Sequence, residues 1–296
     1  MFHLAARERA VQSPGGAWRL AAPAKLNLDL LVGPVRDGGY HPLDSLVARI
    51  SLYDEIILLP REEGIGFFCR GADCGPDEDN LAVRAAEAMA RFRPDAGVEI
   101  ELTKRIPPGA GLGGGSSDAA AVLHGLESAW GLGLTPERLS KIAAGLGSDV
   151  PLFLGGPASR MTGRGEILDP VAVHDFHAVL FLPEFDCATA SVYKAYDVDP
   201  RPIRRLLDPS EAASAPPSSW RDRLVNDLAE PACRVEPRLA ELRHRLSEAV
   251  DLPVHVTGSG SGLFILCDDL TEAEAAFERI PVELRPRCRI VGKNPW

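Results

Sequence analysis

The run Pro107-Pro108-Gly109-Ala110-Gly111-Leu112-Gly113-Gly114-Gly115-Ser116-Ser117-Asp118 has a composition suited to holding an anion. Glycines let the backbone take left-handed conformations and let a phosphate approach with no Cβ in the way. A strand expected over Val98–Leu102 enters the run, and an alanine- and leucine-rich helix expected over Asp118–Trp130 leaves it. The unpaired N–H donors and the positive end of that helix would then meet the same anion. Two common phosphate motifs are excluded. No lysine follows the glycines, as a Walker loop requires. Glu127 comes too early, and Glu137 follows a Gly/Pro break, for either to be the ribose-binding acid of a dinucleotide fold. The cradle is of a third type. The alternative, a tight strand–helix turn without a ligand, has no need of Gly-Gly-Gly-Ser-Ser, whose ordering is entropically costly.

Other residues have the character of reacting or recognising groups. Lys25, in Ala22-Pro23-Ala24-Lys25-Leu26-Asn27-Leu28, is a lone cation in an apolar stretch, where an unpaired charge is costly; otherwise it is a lysine snorkelling from a strand edge. Asp149 stands between a Gly-Ser turn and Val150-Pro151, as a base or as an ordinary turn aspartate. A carboxylate base supported by an ammonium suits deprotonation of a hydroxyl that attacks phosphorus, although their spacing leaves open whether the two meet. Tyr40-His41, after Asp37-Gly38-Gly39, offers an aromatic face and an imidazole to a flat ring, or forms a plain surface turn. Thr257-Gly258-Ser259-Gly260-Ser261-Gly262 is a second glycine-rich turn, which need not share a site with the first.

The elements that must position these groups follow from periodicity and punctuation. Trp18–Leu31 reads as a strand region, with Leu26, Leu28 and Leu30 alternating against Asn27 and Asp29. Leu46–Leu59 reads as two short strands broken at Tyr53-Asp54-Glu55. Asn80–Arg91 is expected to be a helix with Leu81, Ala85, Ala88 and Met89 on one face, and Thr135 to cap a helix ending near Ala144. Pro151 is expected to stop helical continuation after Gly147-Ser148-Asp149. Further on, a strand is expected at Ala178–Leu182 and helices at Thr189–Tyr196, Arg221–Leu228, Pro237–Val250 and Thr271–Arg279. A strand is expected through Val254–Cys267 and another at Cys288–Val291. Pro200–Pro217, rich in proline, serine and alanine, reads as a loop or mobile segment. The pattern is α+β with two lobes, 1–163 and 164–296.

Composition bounds the function. The 296 residues carry 45% hydrophobic and 25% charged side chains, ordinary for a soluble globular protein. A net charge of −10 argues against a nucleic-acid partner, and no apolar run approaches the roughly 18 residues of a membrane span. Met1–Ala17 lacks an apolar signal core and reads as a frayed extension. None of the six cysteines forms Cys-x-x-Cys and no histidine is spaced for zinc, so all six are expected to be reduced, in a cytoplasmic protein.

Taken together, these residues resemble the galactokinase, homoserine kinase, mevalonate kinase and phosphomevalonate kinase (GHMP) superfamily. Pro107–Ala121 is similar to its ATP-phosphate loop; Pro23-Ala24-Lys25-Leu26-Asn27 and Thr257-Gly258-Ser259-Gly260 are similar to its first and third motifs, in the family order. Gly-Tyr-His at 39–41, Asp-Asn-Leu at 79–81, Ser-Asp-Val-Pro at 148–151, Gly-Glu-Ile-Leu at 165–168 and Asn-Asp-Leu at 226–228 resemble one branch in particular. That branch phosphorylates 4-diphosphocytidyl-2-C-methyl-D-erythritol on its 2-hydroxyl, in the non-mevalonate route to isoprenoid precursors.

The resemblance implies a two-lobed fold, with an N-terminal lobe like ribosomal protein S5 domain 2, a ferredoxin-like C-terminal lobe, and the reaction in the cleft between them. It implies ATP and Mg²⁺ as cofactors, with Ser116 or Ser117 helping to place the metal. By position, Asp149 matches the catalytic base and Lys25 its partner. Pro108, Gly109, Ala110, Gly111, Leu112, Gly113, Gly114, Gly115, Ser116 and Ser117 would hold the ATP phosphates, with Asn80, Leu81 and Lys104 by the nucleoside. Asn27 matches a substrate contact, Tyr40 and Tyr193 the pair that sandwiches cytosine, and His41 the residue that reads its edge. Thr189 and Gly258, Ser259 and Gly260 fall on the substrate side.

Three positions depart from the branch pattern: Gly38 where aspartate is usual, Ser148 where alanine is usual, and Tyr193 in place of phenylalanine. The alternatives are another kinase of the superfamily, of mevalonate or homoserine type, or an ATP-binding regulator without catalysis. Tyr40-His41 argues against the first, whose substrates have no base to stack; Lys25 and Asp149 argue against the second.

Overall fold

The computed structural model describes residues 10–13, 16–36 and 38–294. The chain begins with strands β1 (Ala10–Gln12), β2 (Trp18–Asn27), β3 (Leu31–Val32), β4 (Leu43–Arg61) and β5 (Ile65–Gly71). Helix α1 (Leu81–Ala90), strand β6 (Gly97–Lys104) and helices α2 (Gly114–Trp130), α3 (Pro136–Leu146) and α4 (Val150–Leu154) follow, then strands β7 (Ala158–Gly163) and β8 (Ile167–Pro170). After them come β9 (His177–Phe181), α5 (Thr189–Tyr196), α6 (Pro209–Ser214), α7 (Ala229–Val235) and α8 (Pro237–Val250). The chain closes with β10 (His255–Val256), β11 (Leu263–Cys267), α9 (Leu270–Arg279) and β12 (Cys288–Gly292).

Two sheets organise the α+β fold. The first has the order β1-β2-β4-β6-β5, with β3 and β7 also pairing β4, and β8 pairing β7 as far as Pro170. The second, β10-β11-β9-β12, is antiparallel throughout. Leu20, Ala22, Ile56, Leu58, Ile100 and Leu102 of the first sheet pack against α1 to α4. Ala24, Leu26, Leu46, Ala48 and Ile50 pack instead against Ala178, Leu180, Phe264 and Leu266, filling the space between the sheets. Val179, Phe181, Leu263 and Ile265, on the other face of the second sheet, meet α5, α7, α8 and α9. The alternation of 178–181 and 263–266 between two cores is the period-2 rule for a sheet buried on both faces. The β2–β4 pairing shifts register between Pro23 and Ala24, and there β2 passes from the helix-side core to the inter-sheet core.

Several expectations change. The proposed break at Tyr53-Asp54-Glu55 is continuous strand: β4 runs unbroken, and Asp54 is fully buried because the Arg105 and Ile106 N–H groups donate to it. Pro151 does not end a helix but lies in the first turn of α4, where its missing N–H costs nothing. Helix α2 begins at Gly114, so the glycines belong to its first turn. The segment expected as a loop contains α6 and is held by Arg205, which is ion-paired to Asp29 and Asp44. Arg221–Leu228 is a single 3₁₀ turn, Arg221–Arg223, followed by extended backbone at Leu224. Val254–Cys267 is a hairpin of β10 and β11 with the glycine turn at its tip.

Cys69 and Cys74 form a disulfide where β5 turns toward α1, whereas Cys187, Cys233, Cys267 and Cys288 are free. The expectation of reduced thiols therefore fails for the first pair. Much of the expected frayed extension, and Asp37, lie outside the described residues; within them Ala10–Gln12 pairs with β2. Among the described residues no helix is long and apolar enough to cross a membrane.

Candidate active site

Ala24 and Leu26 point into the inter-sheet core, so Lys25 and Asn27 share the opposite face of β2. Both are buried, and the Lys25 ammonium donates to Asn27 Oδ1. Asn27 Nδ2 donates to Ser45 Oγ at 2.8 Å. Their backbone fixes the two glycine turns. The Lys25 N–H donates to the Leu112 carbonyl (3.0 Å), and the Asn27 N–H to Thr257 Oγ1 (3.0 Å). The turns also touch one another, since the Gly262 N–H donates to the Ala110 carbonyl at 3.2 Å. The three segments singled out in the sequence thus converge on one place.

The glycine loop works by alternation. Ala110 and Leu112 are buried anchors, while the glycines beside them take positive φ. At Gly111, φ +72°, a Cβ would lie 2.3 Å from the Thr257 carbonyl oxygen, so a side chain would separate the turns. Gly113, φ +71°, caps α2 against the Phe153 ring. Gly114, Gly115 and Ser116 form the first turn, whose N–H groups have no intrahelical acceptor and are available to an anion. Ser116 is half-buried, whereas Ser117 is buried and its hydroxyl has no partner among the described residues. Asn80 caps α1 by accepting from the Ala82 N–H (2.9 Å), and Leu81 lies beside Gly115. Pro108 and Gly109 stand at the loop's entrance, with Gly109 close to Asp186.

Asp149 precedes α4, half-buried, and its side chain does not cap that helix. No ion pair joins it to Lys25; the two interact through space. Burial lowers the Lys25 pKa from its ordinary 10.5, and the Asp149 charge opposes that shift. Burial, reinforced by the same Asp149 charge, pushes the Tyr193 hydroxyl up to about 12. Asp149 therefore acts electrostatically on both the ammonium and one of the expected base-stacking rings.

His41 packs 5.2 Å from Tyr193 and edge-on to Tyr196 at 5.7 Å. Its Nδ1 donates to the Gly33 carbonyl (2.9 Å), and its Nε2 lies 3.3 Å from Asp197. The Arg164 guanidinium lies over the Tyr40 ring at 4.9 Å. The Thr189 and Ser259 hydroxyls are 2.9 Å apart, which brings the start of α5 to Gly258–Gly260.

Lys104 is placed differently from the other expected nucleotide residues. Its ammonium is buried under the loop beside Gly114, ion-paired to Asp54 and to Asp118. The sequence reading assigned no role to Asp54, Asp118, Asn226, Asp227 or Arg205. Asp29, in Leu28-Asp29-Leu30, was detectable by the reasoning applied to Lys25, since a lone charge in an apolar run needs a partner. Among the described residues no three His, Cys, Asp or Glu side chains gather to hold a metal ion.

A two-lobed α+β fold with a lysine strand and two glycine turns meeting above a helix N-terminus is that of a GHMP-type kinase. The models for the GHMP kinases N terminal domain and GHMP kinases C terminal match residues 80–156 and 211–283. A homoserine kinase structure from Cytophaga hutchinsonii shares the fold at 15% identity and a TM-score of 0.66, over 96% of each chain. A 4-diphosphocytidyl-2-C-methyl-D-erythritol kinase from Streptomyces coelicolor is 36% identical over 262 residues, covering 85% of this chain and 88% of that one. A solved 4-(cytidine 5′-diphospho)-2C-methyl-D-erythritol kinase is similar at 35% identity and a TM-score of 0.74, over 93% of this chain and 99% of that one. This chain belongs to the 4-diphosphocytidyl-2-C-methyl-D-erythritol kinase family, and is an ATP-dependent phosphotransferase with an alcohol as acceptor.

Proposed function

We propose that the chain transfers the γ-phosphate of ATP to the 2-hydroxyl of 4-diphosphocytidyl-2-C-methyl-D-erythritol, giving the 2-phosphate and ADP in non-mevalonate isoprenoid synthesis. The observation that carries the reading is the meeting of Lys25 and Asn27 with both glycine turns, beside an Asp149 charge felt by Lys25 and Tyr193.

In this reading Asp149 accepts the 2-hydroxyl proton as that oxygen attacks the γ-phosphorus. The bond to the β,γ-bridging oxygen breaks and ADP leaves. Lys25 holds the reacting groups together electrostatically, in surroundings where water screens little. First-turn N–H groups of α2 bear the triphosphate. Mg²⁺ would be held chiefly by the substrate's phosphate oxygens, with few protein groups. Ser116 is its candidate ligand; Ser117, turned inward, is not. The ion neutralises the β- and γ-phosphate oxygens when bound.

Tyr40 and Tyr193 supply stacking surface for cytosine. The His41 ring is held by Gly33 and Asp197, so its own backbone groups are the ones it offers to the base edge. The test is ATP-dependent phosphorylation of the cytidylyl substrate, mevalonate and homoserine in parallel. Turnover of the cytidylyl compound alone is expected; turnover of another substrate without it would refute the assignment.

A further inference from the structure

Asn226 and Asp227 lie on the segment between the 3₁₀ turn and α7, where the chain turns into that helix, and they tie together two parts of the molecule that the reaction uses. The segment runs beside Leu30: the Leu30 N–H donates to the Val225 carbonyl (2.8 Å), and the Asp227 N–H to the Leu30 carbonyl (2.9 Å). Asn226 Nδ2 donates to the Val256 carbonyl (2.7 Å) and the Gly258 carbonyl (2.8 Å), while its Oδ1 accepts from the Leu228 N–H (2.9 Å). Only a carboxamide offers two donors and an acceptor in this arrangement. Its grip falls on the turn where a Gly258 Cβ would lie 3.4 Å from Lys25 Nζ.

Asp227 faces the other way. Its Oδ2 accepts from the Val32 N–H at 2.9 Å. Val32 in turn accepts from the Tyr196 hydroxyl, and the next carbonyl, Gly33, accepts from His41 Nδ1. Tyr196 also packs its ring against His41. One carboxylate thereby fixes the backbone that orients the imidazole.

We propose that Asn226 and Asp227 are positioning residues that couple the cytidine-diphosphate site at His41 to the glycine turn at 258–260. The proposal rests on the substrate reading above. Neither residue touches the reacting atoms; Asn226 sets the geometry of the turn beside Lys25 and Asp227 that of the group that reads the base, and small displacements of positioned groups are costly. The two act on different steps. Loss of the Asn226 amide frees the turn beside Lys25 and lowers kcat. Loss of the Asp227 carboxylate loosens His41 and raises KM for the cytidylyl substrate.

Steady-state kinetics of Asn226→Ala, Asp227→Ala and Asp227→Asn test this on the full chain. Asn226→Ala should lower kcat by about 10-fold or more, with the cytidylyl KM within about threefold of the parent. Asp227→Ala should raise that KM by about 10-fold, with kcat and the ATP KM held. Asp227→Asn keeps an oxygen for the Val32 N–H and should restore the KM. Equal loss in all parameters for both alanine variants, without rescue by asparagine, would overturn the proposal. A second measurement needs no variant. Saturating the unaltered protein with CDP should slow amide hydrogen exchange in 256–260 as well as around His41; protection confined to His41 would also overturn it. Absence of cytidylyl turnover by the unaltered protein would defeat the substrate reading and this proposal together. Normal turnover without the kinetic split would defeat this proposal alone.

Discussion

Lys104 Nζ lies 2.7 Å from Asp118 Oδ2, joining the end of β6 to the first turns of α2 beneath the glycine loop. Asp54 of β4 completes the group, and it also accepts from the Arg105 and Ile106 N–H groups. The loop thus stands on a buried ionic foundation. Asp118 remains incompletely matched, because its Oδ1 has no partner among the described residues.

Removing the cation should therefore be severe. Above about pH 7, where Asp118 has lost its proton, Lys104→Met leaves two carboxylates buried without their counter-charge, and removing one partner of a buried pair costs about 3–5 kcal/mol. Denaturant unfolding should show a loss of that order, together with a raised ATP KM. A change below about 1 kcal/mol would show that the three groups do not form the ionic cluster described.

Asp149→Asn should lower kcat by about 10²–10⁴-fold, the usual range for loss of a general base, and leave ATP affinity nearly intact. It should also move Lys25. The Asp149 charge holds the Lys25 pKa up against burial, so its removal lowers that pKa further. Amine labelling as a function of pH reads this without reference to turnover. An unchanged Lys25 titration would remove the electrostatic link between the two.

Tyr193→Leu should raise the cytidylyl KM much more than the ATP KM, because the ring packs on His41, the residue proposed to read the base. An equal rise in both constants would count against base recognition at this face.

Stability should carry a distinctive pH dependence. Burial holds the Asp29 carboxyl at about 6 and that of Asp118 at about 7, above the ordinary 3.8. Below the unfolded value both states keep the proton and the contribution is complete. Above it the unfolded chain has released its proton while the fold retains it, so stability falls as pH rises. The loss ends as the folded groups ionise, near 6 for Asp29 and near 7 for Asp118. Between about pH 4 and pH 7, Asp118→Asn should therefore lose less stability than the parent in chemical denaturation. Parallel curves would contradict the placement of Asp118 as a buried, partly matched acid.

Much of the fold was legible because its signals are local. Thr189–Tyr196 and Pro237–Val250 are helices with the bounds their periodicity and prolines indicate. Two of the misreadings share a cause, since in each a local polar or proline signal was outweighed by distant partners. Asp54 resembled a strand break until Lys104 and two N–H donors satisfied it. Pro200–Pro217 resembled a mobile loop until Asp29 and Asp44 held Arg205. The candidate site divides in the same way. The anion cradle, the lone lysine and the Tyr-His pair were visible as residue types, whereas the Asn226–Asp227 clamp had a motif but no assigned task.

By itself the sequence determined the chemistry on offer: a loop able to bear phosphates, an isolated ammonium, a carboxylate after a turn, and an aromatic pair, each recognisable within a few adjacent residues. Tertiary structure decided which of them meet. It set Asn27 against Thr257, 230 positions apart in the chain, kept Lys25 free of a direct bond to Asp149, and turned Lys104 inward to two carboxylates. Periodicity reports which face of an element is buried, but not what is buried against it. The partner of a buried charge is chosen by the packing of whole sheets and helices, and that choice separated Lys25, beside the two glycine turns, from Lys104, paired to carboxylates beneath the loop.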